Sequence, residues 1–162
     1  MSQLLQICTI MLLEVKIMPT FLDLRISQFA PAGPFLSTNP AAPTFLGGIG
    51  LIVGDATNIR VDLNATVNVA TDTAATITIL IARNLPAATI DTFNAANVIY
   101  TTTQSIPLGQ DETIGVNIAD FQPTTSPTEP GQINYSLFAY SSAGDTLILD
   151  RIQTLNGIAA AG

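Results

Sequence analysis

Residues 59–69 read Ile59-Arg60-Val61-Asp62-Leu63-Asn64-Ala65-Thr66-Val67-Asn68-Val69, an unbroken alternation of apolar and polar side chains. Successive side chains of an extended chain point to opposite faces. The odd positions therefore enter a core while Arg60, Asp62, Asn64, Thr66 and Asn68 face water, as in a half-buried β-strand. The pattern recurs in shorter form on both sides. Leu22, Leu24 and Ile26 alternate with Asp23, Arg25 and Ser27; Ile77, Ile79 and Ile81 share one face of a strand over 75–82; Ile114, Val116 and Ile118 do so over 113–119.

Further strands are predicted over 49–53, 97–104, 133–140 and 146–155, each bounded by turn residues such as Gly54-Asp55, Pro107 to Asp111 and Ser141 to Asp145. The turn Ala70 to Ala74 is expected to join its flanking strands as a hairpin, and 87–96 is the only segment whose composition permits a short helix. Many short strands at this spacing predict an all-β fold, an antiparallel β-sandwich or jelly roll. Before it, Ala30 to Pro43 contains four prolines, each fixing φ and withdrawing a backbone donor. Three regions follow: an N-terminal extension over 1–29 with an extended strand at Phe21 to Phe29, a Pro/Gly-rich linker over 30–46, and a sandwich domain over 47–162.

Composition narrows the function. At 162 residues the chain can bury a core without disulfide or metal support. Hydrophobic residues make up 48% and charged residues only 10%, so the surface must be covered largely by Thr, Asn, Ser and apolar atoms, which suits assembly. A net charge of -7, with Lys16, Arg25, Arg60, Arg83 and Arg151 as the only cations, excludes nucleic acid as a partner, because phosphate binding needs clustered basic side chains. Leu4 to Met18 is apolar but is interrupted by Glu14 and Lys16 and is shorter than the roughly 18 to 20 residues of a membrane-spanning helix. It reads either as the end of a strand or as sequence upstream of a working start at Met18. Cys8 stands alone, which excludes an intrachain disulfide; it is either a small buried hydrophobe or an intermolecular contact.

No arrangement of residues points to catalysis. The chain has no His, so Ser-His-Asp and Cys-His chemistry and imidazole metal ligation are absent. Asp111, Glu112, Asp120, Glu129, Asp145 and Asp150 are the carboxylates a glycosidase or a Ca²⁺ site would draw on, but they fall in or beside turns, where acidic residues serve local hydrogen bonding. The glycines of Gly47-Gly48-Ile49-Gly50 lack the spacing of a dinucleotide-binding turn and precede no helix. Tyr135, Phe138 and Tyr140 fit core packing better than a sugar-stacking platform. The expectation is a non-enzymatic protein with no cofactor and no metal.

Asn58 to Val67, the strand from Ile77 to Arg83, Ser105 to Gly109, Asn134-Tyr135-Ser136-Leu137 and Gly157-Ile158 together resemble small exosporium proteins of spore-forming bacilli, of the exosporium protein C type. The resemblance spans 58 to the C-terminus. It implies a structural component of the spore surface, β-rich and without catalytic activity.

Unpaired sheet edges present rows of N–H and C=O groups that invite pairing with another chain. A strand on a long proline-rich tether can complete such an edge on a neighbour, and a head-to-tail contact of that kind propagates as a fibre. The sequence therefore predicts a self-assembling surface protein whose donor strand uses Phe21, Leu22, Leu24, Ile26 and Phe29, with itself or other surface-layer proteins as partners. The alternatives are a strand folded back on its own sandwich, a closed jelly-roll trimer that binds a ligand or receptor, and a viral coat subunit.

Overall fold

A computed structural model describes residues 19–29, 35–86, 89–148 and 153–162. Among the described residues nine strands form two antiparallel sheets: β1 (Thr20–Phe29), β2 (Thr44–Ile52), β3 (Ile59–Thr71), β4 (Ala75–Arg83), β5 (Val98–Ile106), β6 (Gln110–Phe121), β7 (Gln132–Ser141), β8 (Leu147–Ile148) and β9 (Gln153–Ala161). Sheet A has the order β1-β9-β3-β6, with β8 also pairing β3; sheet B has the order β2-β7-β4-β5. The fold is an all-β two-sheet antiparallel sandwich of jelly-roll type, in which, among the described strands, only β4 and β5 are both consecutive and paired.

The alternation of β3 builds the centre. Val61, Leu63, Ala65, Val67 and Val69 are buried between the sheets, and Ile77, Ile79, Ile81, Ile133, Tyr135 and Leu137 meet them from sheet B. Sheet B buries its outer side as well. Leu80, Ala82, Leu85 and Phe138 form a second cluster there, with Phe45, Phe93 and Val98 packed against it. The Phe138 ring lies 5.5 Å from Phe45 and 5.4 Å from Phe93, the latter on the connection between β4 and β5. That connection is pinned where Ser136 Oγ donates to the Ile90 carbonyl at 2.8 Å. A Cβ on Gly48 would stand 2.8 Å from Ile90 Cδ1, so the glycine lets the connection lie flat on the sheet.

Several expectations are corrected. The turn after β3 does not make a hairpin: β3 belongs to sheet A and β4 to sheet B, and the chain changes layer over Asp72 to Ala74, where Thr71 Oγ1 donates to the Thr73 carbonyl at 2.6 Å. No α-helix occurs among the described residues; the segment expected to permit one holds a 3₁₀ turn at Ala95–Asn97, capped by Asn94. β2 begins at Thr44, and Leu36 is already buried, so the sandwich takes up part of the stretch expected as linker.

Of the expected final strand, β8 and the start of β9 are described, and residues 149–152 lie outside the described set. Gln153 ties the start of β9 to β3. Its fully buried amide accepts from Asn68 N at 2.7 Å and donates to Asn68 O at 3.3 Å. β9 then runs to Ala161 between β1 and β3.

Candidate interaction face

The inner side of sheet A fills the core, and its outer side carries the residues that stand out. In β3 the even positions face outward; their partners on β9 are Ala160, Ile158, Asn156 and Thr154, and on β6 they are Phe121, Ala119, Asn117 and Gly115. β1 continues these rows with Phe21, Leu24, Ile26 and Gln28 opposite Ala160, Ile158, Asn156 and Thr154. Read across the sheet, four rows result. Phe21, Ala160, Arg60 and Phe121 form an aromatic row; Leu24, Ile158, Asp62 and Ala119 an aliphatic one; Ile26, Asn156, Asn64 and Asn117 an amide row; Gln28, Thr154, Thr66 and Gly115 a small polar one.

Eight large hydrophobic side chains are exposed among the described residues, and five of them lie on this one face: Phe21 (63%), Leu24 (47%), Ile26 (61%), Phe121 (67%) and Ile158 (43%). Leaving so many apolar side chains in water on one face is costly, at roughly 25 cal/mol per Å² of apolar surface. The contrast with sheet B is direct, because there the chain's own β4–β5 connection covers the outer aromatic residues.

Formal charge on the four rows cancels locally. Arg60 Nη2 lies 2.8 Å from Asp62 Oδ1, and the guanidinium carbon sits 5.2 Å from the centre of the Phe121 ring. In the amide row Asn64 Nδ2 donates to Asn117 Oδ1. Asn156 Oδ1 is shut off from water and has no hydrogen-bond partner among the described residues. A recess of about 320 Å³ opens between Asn64, Asn117, Asn156 and Ile158.

The predicted donor residues divide between two sides. A bulge between Phe21 and Asp23 inserts Leu22 as an extra residue, which packs against the core, and returns Leu24 and Ile26 to the outer face. Phe29 turns toward sheet B, its ring 5.2 Å from Phe45. Leu22, Leu24 and Ile26 therefore do not share one side, contrary to the period-two reading, which contains no signal for a bulge. As a single chain, β1 is seated on its own β9 from Thr20 to Phe29. Cys8 lies outside the described residues.

Toward β2 the strand presents Asp23, whose Oδ2 accepts from Ile52 N at 2.8 Å and from Arg25 Nε at 3.0 Å. Burial works against this carboxylate, but the hydrogen bonds from Ile52, Arg25 and Leu24 outweigh it and hold its pKa below the ordinary 3.8. A lowered folded-state pKa means the tie stabilises fully above the unfolded-state value and is lost as the pH falls through the folded-state value. Hydrogen exchange of β1 amides, corrected for intrinsic rates, is therefore expected to speed up below pH 3.8, and Asp23→Ala to show the faster exchange already at neutral pH. Unchanged protection in Asp23→Ala would show that the tie does not hold β1.

The grouping that most resembles a catalytic cluster is a tie between the sheets. Asp120 on β6 receives Arg83 Nη1 at 2.9 and 2.8 Å and the Tyr135 hydroxyl at 2.9 Å. Burial raises the Tyr135 pKa, the charge of Asp120 and the bond to it add to the rise, and Arg83 opposes it, so the phenol stays a donor. Tyr135→Phe removes one bond from a carboxylate that keeps two, and is expected to cost about 1 kcal/mol. Asp120→Ala strands a fully buried hydroxyl and is expected to cost about 3 kcal/mol, with urea unfolding as the measurement. Equal losses would show that the hydroxyl alone carries the tie.

The remaining carboxylate candidates are dispersed. Asp145 Oδ1 accepts from Thr73 Oγ1 at 2.9 Å, Glu129 accepts from Asn134, Asp111 lies opposite Ala70, and Asp150 is outside the described residues. Among the described residues no group of three or more His, Cys, Asp or Glu is placed to hold a metal, and no helix is long and apolar enough to cross a membrane.

No protein-family model and no curated protein matches the chain. Solved structures give distant likenesses. A crystal structure of murine APRIL has 14% identity and a TM-score of 0.39, over 88% of this chain and 92% of that one. Eiger TNF from S. frugiperda has 13% identity and a TM-score of 0.37, over 86% and 91%. The T13 IBDV viral particle has 12% identity and a TM-score of 0.41, over 86% of this chain and 32% of that one.

Proposed function

We propose that this protein is a non-catalytic structural subunit that assembles with further copies of itself through the outer face of sheet A. The observation that carries the proposal is the uncovered cluster of Phe21, Leu24, Ile26, Phe121 and Ile158 on that face. Charge favours a second copy as the occupant. The whole chain carries -7, so most approaches of two copies are repulsive, whereas the ion pair Arg60–Asp62 leaves the four rows neutral. Four strands about 4.8 Å apart and some 30 Å of strand give a face of roughly 600 Å² in projection. That is of the order of the ~800 Å² per partner that stable complexes bury. The spore or cell surface is the setting to which the family resemblance and the scarcity of Lys and Arg point.

Light scattering tests the proposal on two chains, one complete and one beginning at Met18. Both are expected to give a concentration-dependent mass above that of a single chain. A monomeric full chain that oligomerises only when it begins at Met18 would show that the apolar N-terminal segment, not a second copy, covers the face.

Donation of Phe21 to Phe29 to a neighbour makes the same β1–β9 pairing between subunits and would build a fibre. The full pairing of β1 with its own β9 supports the folded-back arrangement instead. Gln28 lies opposite Thr154, so Gln28→Cys/Thr154→Cys in a Cys8→Ser background separates the two. The folded-back chain oxidises to a monomer on a non-reducing gel, and an exchanged strand gives a ladder.

A further inference from the structure

The four rows also constrain how two copies can meet, an inference that rests on the self-assembly reading above. Sheets that pack face to face keep their strands within about 30° of alignment, so a two-fold axis lying in the interface runs either across the strands or along them. An axis across the strands, on the amide row, lays the aliphatic row Leu24, Ile158, Asp62 and Ala119 over the small polar row Gln28, Thr154, Thr66 and Gly115 of the other copy. Apolar side chains would then be covered by hydroxyls and an amide.

An axis along the strands, between β9 and β3, keeps each row over its own counterpart and reverses its order. Phe21 then lies over Phe121 of the second copy, Leu24 over Ala119, and Asn156 over Asn64. Arg60 lies over Ala160 and Asp62 over Ile158, so neither charge meets its like. This arrangement also lays the Asn156 side chain over Asn64 of the second copy, so that two amides of the same row face each other. An amide that becomes buried in an otherwise apolar interface fixes register, because a slip takes it away from its polar counterpart.

We infer that two copies dock through the outer faces of sheet A about a two-fold axis parallel to the strands between β9 and β3, with Asn156 and Asn64, which then face each other, setting the register. The contact is isologous and closes as a dimer.

Ile26 and Asn117 stand at opposite ends of the amide row, three strand spacings or ~14 Å apart across the sheet. In full-length protein with Cys8→Ser, Ile26→Cys and Asn117→Cys are each treated alone and as a mixture with a short bis-maleimide, under conditions where light scattering shows oligomer. The expected result is a covalent dimer from the mixture and little from either variant alone. Crosslinking of Ile26→Cys with itself would overturn the inference in favour of the axis across the strands. An oligomer that crosslinks in neither test would overturn it in favour of a head-to-tail contact. A protein that remains monomeric at every concentration would instead overturn the assembly reading on which the inference depends.

Discussion

Gly157→Val is expected to lower the melting temperature by roughly 10 °C. Gly157 lies on the inner side of β9, where a Cβ would stand 2.5 Å from Ile49 Cδ1, 3.0 Å from Leu51 Cδ1 and 3.2 Å from Leu63 Cδ2. A branched side chain has to displace all three, and overpacking of this kind costs about 3 kcal/mol, or roughly 3 °C per kcal/mol in a chain of this size. Gly157→Ala meets only the mobile ends of those side chains and is expected to lose about a third as much. Thermal unfolding followed by circular dichroism separates the two, and a valine variant as stable as the alanine one would show that β2 has room to retreat.

Leu24→Glu/Ile158→Glu is expected to weaken self-association at least 100-fold while leaving the fold intact. Both side chains are nearly half exposed in the single chain and belong to neither core cluster, and surface changes of that type lie within about 0.5 kcal/mol in stability. In the assembly they exchange two apolar contacts, one beside the axis on β9 and one on the edge strand β1, for carboxylates. Truncating the anchoring residues of an interface typically costs about 2 kcal/mol or more each. The Glu introduced at 158 would also face Asp62 of the other copy in the two-fold arrangement, adding like-charge repulsion.

Much of the sandwich could be read directly in the sequence. Where one face of a strand is wholly buried and the other wet, as in β3, the alternation is complete and the strand is legible with its facing. The same holds for the inward residues of β4 and β6. The candidate face was not legible, and the reason lies in β1. Its alternation has the same form as that of β3, but a strand pattern records only that two sides differ, not which side meets the core. The Leu22 bulge then shifts the phase, so that Leu24 and Ile26 look outward. A detached, donated strand and an edge strand with an apolar outer side leave the same trace in sequence.

The strand β9 is hidden in the sequence for a related reason. Gly157-Ile158-Ala159-Ala160-Ala161 has weak β propensity, yet it occupies the centre of sheet A because small inward residues let Ile49 and Leu51 approach. The bonds from the buried Gln153 amide to the backbone of Asn68 are of the kind that no local pattern announces. The change of layer after β3 is likewise set by which sheets the flanking strands join, not by the turn residues themselves.

Sedimentation velocity of the full chain beside Leu24→Glu/Ile158→Glu, each over a hundredfold range of concentration, decides whether the outer face of sheet A joins copies of the chain. The expected result is a wild-type boundary that moves from monomer toward dimer as concentration rises, and a variant that stays monomeric throughout with an unchanged melting temperature. Identical sedimentation of the two proteins would contradict it, whether both assembled or both remained monomers, because the outer face of sheet A would then play no part in joining copies of the chain.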